Sequence, residues 1–429
     1  MWVNFSKYLG KVILILLVGI LLGFIALSLV HLLPVERMKG HVLEGRDAIN
    51  AHAQVVPGYM STSIDNFTDS IMLGQAICPV DAPLLEKIIY NYHVNYWLGY
   101  DQQENLFCYL DGEEGFQYQG YTHYWGGWQV LLKPLLLLFD YADILVINGI
   151  LQTLLTILVV YGLCKQNKQY MILPLMATLL SIMPMAVAVC LQFSDVYYIT
   201  LIGMLLIVWR FDKIGKERMY LLFLVLGMCT SYFDFLTYPL VSLGLPLVMF
   251  MTYNGTERII NQIFYLLQCS VSWCIGYVGM WSGKWLLGSI LMPEAGSLSE
   301  ALSSISYRSS NRATGMEVLT VFDVLLANLY VYLKLPVLVL LGGTVCYLIW
   351  GMMKTDFSAG MKEKLLSCIP YLLICAYPIG WYMLASNHSF EHTFMTYREL
   401  AIASFAGLGM LAQFSAGKDK GCRYEAKVD

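Results

Sequence analysis

The run from Val12 to Leu33 contains no Asp, Glu, Lys or Arg. As a helix it is long enough to cross a hydrocarbon core of about 30 Å. A lipid-spanning segment restricts a fold severely, because every backbone amide in it must be paired within the protein. Further apolar runs follow at roughly 142–164, 170–190, 194–210, 218–233, 236–253, 260–282, 329–352, 364–384 and 398–415. Apolar residues make up 58% of the 429-residue chain and charged ones 13%, against roughly a quarter charged in soluble domains. One aqueous core would not hide that much apolar surface. The expected fold class is all-α, a polytopic transmembrane bundle of about ten spans. It forms a single membrane domain over 1–429, with a long extracytoplasmic first loop at 34–140 that contains short interfacial helices.

Orientation follows from the basic residues. Lys7 and Lys11 precede the first run. Short connections carry Lys165 and Lys168, then Arg210, Lys213, Lys216 and Arg218, then Arg258, then Lys354, Lys362 and Lys364. The tail adds Lys418, Lys420, Arg423 and Lys427. The positive-inside rule then places both termini in the cytoplasm of a multi-pass protein of the plasma membrane. Ala51-His52-Ala53 has the spelling of a signal-peptidase site, but it lies too far beyond the run, which reads as an uncleaved anchor. The run Gln129 to Phe139 is too short to span and is interrupted by Lys133-Pro134, so it is expected to lie in the interface. The Ser-rich stretch within 285–325 reads as an external loop able to act as a lid. Cys78 and Cys108 are the cysteines of the first loop, and pairing or two free thiols are equally compatible with their spacing. The net charge of −4 and the lack of a nucleic-acid motif argue against nucleic acid as a partner.

Charged groups at a membrane boundary need a reason. Asp65 and Asp69 stand four apart in the first loop, one helical face on a helix, and either would serve as a general base. The plainer reading is a helix cap. Asp195 and Asp234 each stand alone in a short turn between apolar runs, beside aromatic residues. Such an acid would bind a sugar hydroxyl, a basic group or a cation, with Asp195 the position for a metal, or it would cap the next helix. Lys284, Arg308, Arg312 and Arg398 are candidates to hold a phosphate, Lys284 also being a natural snorkelling residue of an aromatic belt. His388, Glu391 and His392 spell His-x-x-Glu-His without a third ligand in the segment. With His123, these histidines suit contacts to a substrate head group. Tyr90, Tyr92, Tyr96, Trp97, Tyr100, Tyr118, Tyr121, Tyr124, Trp125 and Trp128 crowd the first loop, as a sugar-stacking surface or as a membrane-interface belt.

One anchor, a long external loop with acids and interfacial helices, short-looped spans, and an acid in the second external turn together resemble the GT-C superfamily of polytopic glycosyltransferases. The stretches YTHYWGGWQVLLKPLLLLFDY, FDFLTYPLVSLGLPL and NHSFEHTFMTYREL look like those of bacterial membrane proteins of this type. The resemblance implies a first-loop catalytic acid, at Asp65 or Asp69, and a further acid at Asp195. It implies a polyprenyl-phosphate-linked sugar as donor and a glycan or lipid-linked acceptor on the outer face, with a divalent cation left open as cofactor. Two other functions compete. A surface-polysaccharide polymerase or ligase would carry its large loop in the second half of the chain. A transporter or lipid flippase would show mid-span charges and internal symmetry.

Overall fold

The structure, a computed structural model, describes residues 2–49, 53–96, 101–255, 257–316, 318–354 and 365–415. Ala51, His52, Trp97, Tyr100, Lys362, Lys364, Lys418, Lys420, Cys422, Arg423 and Lys427 lie outside the described residues. The protein is nearly all-α. Among the described residues six helices are long and apolar enough to cross a membrane: Ser6–Val30, Tyr141–Lys165, Leu191–Ile214, Ile259–Leu291, Leu335–Met353 and Leu365–Leu384. Their outward faces are hydrocarbon. Leu14, Leu17, Leu21, Leu22 and Leu29 on the first helix are all exposed, as are Val146, Ile150 and Ile157 on the second. These six apolar helices fit a multi-pass membrane protein.

The other four expected runs fold into shorter pieces. Helices Met219–Phe233, Val241–Asn254 and Ala401–Ser415 hold 14 or 15 residues each, roughly 22 Å at a rise of 1.5 Å per residue. The run at 170–190 breaks into Ile172–Ser181 and Pro184–Ala188. Its break has a local cause. Proline disfavours the helical region for the residue before it, and Met183 takes a left-handed φ of 56°.

Two of the helices cross almost backbone to backbone. A Cβ added at Gly227 would lie 2.1 Å from the carbonyl oxygen of Trp273, and one at Gly276 would lie 2.1 Å from that of Leu224. Met219–Phe233 and Ile259–Leu291 therefore pack through small residues, the usual means of close approach where lipid provides no hydrophobic drive.

The described residues of 34–140 form short helices and one small sheet. Helices Val35–Glu44, Asn66–Ala76, Leu84–Tyr90, Gln102–Leu110 and Gln129–Leu136 alternate with an antiparallel pair of strands, His93–Asn95 and Gln117–Gln119. An Arg46–Asp111 ion pair closes this segment on its exposed side. Tyr124, Trp125 and Trp128 belong to the core rather than to a belt, each 1–2% exposed. The Trp125 indole donates to the Met280 carbonyl at 2.7 Å, and Trp128 stacks on Phe235 at 3.7 Å. Cys78 and Cys108 are both free thiols. The Ser-rich stretch expected as a loop is largely a helix, Ser297–Arg308, laid against Ile259–Leu291. Both segments sit at the bundle end that holds Tyr141, Leu191 and Trp285. The opposite end gathers Lys165, Lys168 and Lys216, with Lys216 paired to Glu257.

Gly276→Ala should lower stability by about 1–3 kcal/mol, the range for overpacking against an unyielding backbone. Thermal unfolding of the purified chain in detergent measures this. An unchanged melting temperature would mean the two helices do not approach as described.

Candidate functional site

Asp65 caps helix Asn66–Ala76, accepting the Thr68 amide at 3.0 Å and the Thr68 hydroxyl at 2.9 Å. One turn on, Asp69 is 2% exposed and serves a different helix. It accepts the Leu191 and Gln192 amides at 2.8 and 2.9 Å and the Tyr141 hydroxyl at 2.8 Å. The first amides of a helix have no carbonyl partner of their own, and Asp69 supplies one to Leu191–Ile214 from a remote segment. Burial pushes Asp69 up to about 6 against the pull of these bonds. Asp69 thus spends both oxygens on groups remote in the chain, a structural task, whereas the Asp65 carboxylate bonds Thr68 in the first turn of its own helix.

Several other candidates are turned onto backbone. Lys284 is fully buried, and its ammonium donates to the carbonyls of Ile88 and Ile89 at 2.5 and 3.0 Å, capping the end of Leu84–Tyr90. Arg398 is also fully buried, donating to the carbonyls of Ile182 and Phe394. Its guanidinium lies 4.2 Å from the centre of the Phe193 ring, inside the protein rather than at a phosphate. Asp234 binds the Thr237 amide and hydroxyl within its own turn, and burial pushes it up to about 6. Asp195 lies inside helix Leu191–Ile214, not in a turn, with one carboxylate oxygen buried and unbonded. Among the described residues no group of three or more His, Cys, Asp or Glu side chains is gathered to hold a metal. Arg312 is exposed, and it is its carbonyl that is bonded, by Asn387 at 2.8 Å.

Two of the remaining candidates, His123 and Arg308, meet in one cleft. A cleft of about 540 Å³, counting its open mouth, lies between the end of Ile259–Leu291, helix Ser297–Arg308 and helix Tyr377–Leu384. Trp281, Trp285 and Trp381 wall it, and His123 and Arg308 supply its polar end. Arg308 donates to the Tyr124 hydroxyl and lies 5.3 Å from the centre of that ring. No carboxylate pairs with it among the described residues. His123 bonds Glu300 through Nδ1 at 2.8 Å, and Thr122 donates to the same carboxylate. Burial, then the Arg308 charge, lowers the His123 pKa against the Glu300 bond. The neutral ring therefore gives its Nδ1 proton to Glu300 and keeps Nε2 as acceptor. Asp65 and His392 are not wall residues of the cleft, but each feels the other's charge. His392 feels the charges of both Arg308 and Asp65, and burial lowers it first. Burial raises Asp65, while the Thr68 bonds and His392 oppose the rise.

The floor of the cleft is irregular backbone. Leu236 lines it with a φ of 68°, strained for a branched residue. Three bonds fix this turn: Tyr124 to the Phe235 carbonyl at 3.0 Å, His388 Nε2 to the Leu236 carbonyl at 2.7 Å, and the Leu240 amide to Glu399 at 3.2 Å. Since a carbonyl can only accept, His388 holds its proton on Nε2. The His-x-x-Glu-His spelling thus divides: His388 props the floor, His392 sits 4.8 Å from it ring to ring, and Glu391 accepts the Thr314 amide. Glu300 and Trp381 were not legible as site residues. Ser297-Leu298-Ser299-Glu300 has the spelling of a helix start, which was the available signal that this stretch is a helix.

Asp69→Ala should cost about 2–5 kcal/mol, because it strands two buried amides, whereas Asp69→Asn should cost less. Unfolding of both variants in detergent compares them, and equal stability of Asp69→Ala and the parent would refute the cap. Glu300→Gln should lower the His123 pKa further, read by NMR of labelled histidine. A His123 titration unmoved by the change would separate the two groups.

Comparison of the chain with family models, with curated proteins and with solved structures found no match in any of the three.

Proposed function

We propose that this chain is a membrane glycosyltransferase that moves a sugar from a polyprenyl-phosphate donor to a glycan or lipid-linked acceptor on the extracytoplasmic face of the plasma membrane. The observation that carries this reading is the Arg308 cleft: an unpaired guanidinium at the polar end of a tryptophan-lined space beside the apolar helices. An amphiphile with an anionic group and a hydrocarbon tail is the ligand such a cleft suits. Indole faces also stack on the C–H faces of sugars. The outer-face assignment rests on the basic residues, which collect at the other end of the bundle and by the positive-inside rule mark the cytoplasmic side.

In this mechanism Arg308 stabilises the negative charge that develops on the phosphate as the glycosidic bond to it breaks. Asp65 accepts the proton of the acceptor hydroxyl as the new bond forms. His392 lies in the fields of both Asp65 and Arg308, and burial, then the Arg308 charge, favours its neutral form. His123 offers Nε2 to a sugar hydroxyl, held in that tautomer by Glu300. The supporting features are the meeting of His123 and Arg308 in one cleft, the charges of Arg308 and Asp65 both acting on His392, and the fixed turn that lines the cleft.

Asp65→Asn should reduce transfer by about 10²–10⁴-fold, the usual worth of a general base, and Arg308→Gln by a similar factor. Arg312→Gln should leave it unchanged. In cells lacking the native copy, surface glycans read by mass spectrometry report each variant, with immunoblots for expression. Complete restoration by both Asp65→Asn and Arg308→Gln would rule out the assignment. A base must be deprotonated to act, and the Asp65 pKa lies above the ordinary carboxylate value. Activity should therefore fall with decreasing pH earlier than an exposed aspartate would dictate.

A further inference from the structure

Helix Gln129–Leu136 turns Gln129, Leu132, Lys133 and Leu136 inward, while Leu131 is exposed, as is Leu138 just beyond it. Its two polar residues, Gln129 and Lys133, thus face the protein together with two leucines, and its exposed residue is a leucine. Lys133 is thereby 2% exposed. It lines a small cavity of about 300 Å³, counting its mouth, together with His31, Gln75, Cys78, Lys87 and Tyr92. This space is separate from the Arg308 cleft and shares no wall residue with it.

A buried ammonium needs a counter-charge. Among the described residues no carboxylate stands within ion-pair distance of Lys133 or Lys87. Glu86, on the same helix as Lys87, accepts the Tyr92 hydroxyl at 2.8 Å instead. The Lys284 charge also acts on His31, a wall residue of the cavity. Burial, then the Lys87 charge, brings Lys133 down to about 8, which leaves it largely protonated at neutral pH. Burial and the charges of Lys133, Lys284 and Lys87 take His31 down to about 3, so its ring is neutral and serves as a hydrogen-bonding wall. The cavity is thus a concave, cationic site lacking an anion of its own, directly beyond the end of the apolar helix Ser6–Val30, where lipid head groups lie.

We propose that this cavity is a phosphate-binding site, distinct from the catalytic cleft, in which Lys133 and Lys87 hold the phosphate group of a membrane lipid or a free phosphate ion. Two lysines give charge-assisted bonds to separate phosphate oxygens, and the cavity has room for one such group. Occupancy would tie Ser6–Val30 to Leu84–Tyr90 and Gln129–Leu136.

Thermal unfolding of the full chain in an uncharged maltoside detergent tests this. The probes are inorganic phosphate, against chloride at equal ionic strength, and short-chain phosphatidic acid, against phosphatidylcholine of the same length. A ligand that binds only the folded state raises the melting temperature by mass action. A rise with phosphate identifies the free ion, and a rise with phosphatidic acid alone identifies the lipid head group. In Lys133→Met the concentration needed for half the shift should increase about tenfold or more, the worth of one charge-assisted hydrogen bond. Lys87→Met, at a half-buried position, provides the same test if Lys133→Met does not fold. Arg308→Gln should keep the shift, which separates this site from the transfer reaction. No shift with either probe, or an undiminished shift in the lysine variants, overturns the proposal.

Discussion

Away from water, an unpaired backbone amide or carbonyl costs as much as a lost hydrogen bond, and this protein breaks its helices inside the bundle repeatedly. Four of these breaks are met by charged or polar side chains from elsewhere in the chain. Asp69 meets the amides that open Leu191–Ile214. Arg398 and Tyr397 meet the Ile182 carbonyl, freed where Pro184 ends a helix. Lys284 meets the carbonyls that close Leu84–Tyr90. Tyr124, His388 and Glu399 together meet the buried turn after Asp234. These bonds join segments more than a hundred residues apart and fix the polar end of the bundle.

That constraint also sorts the chemistry. A side chain engaged with backbone on every available atom has little left for a ligand. Arg308 differs because its partner is a single phenol and its charge faces a cleft walled by indoles. Asp65 differs because its bonds to Thr68 are local and leave it near His392. The strained Leu236 backbone that lines this cleft is held from two sides, by Tyr124 and His388. Lys133 is a second unpaired cation, but in a smaller and separate space.

The helix breaks also explain why the expected ten spans and the six long apolar helices differ. Hydropathy averages over a window and does not register Pro184 as an interruption. Nor does it show that Met219–Phe233 packs so closely on Ile259–Leu291, which depends on Gly227 and Gly276 meeting opposite carbonyls. The aromatic crowd of residues 90–128 was equally ambiguous. Stacking on sugar, lining an interface and filling a core use the same side chains, and Tyr124, Trp125 and Trp128 fill the core.

What the amino-acid sequence determined by itself was the apolar solvent and the predominance of helix. Uncharged apolar runs admit only helices in lipid, and the residue types able to do chemistry, Asp65, His123, Arg308 and His392 among them, could be named from the chain alone. What only the tertiary structure decided was which of them are free. Asp65 and Asp69, four residues apart, face different partners because one caps its own helix and the other a helix more than a hundred residues away. Hydrogen-bond satisfaction is a property of packed neighbours, and sequence spacing carries no record of which distant backbone groups a buried charge must serve.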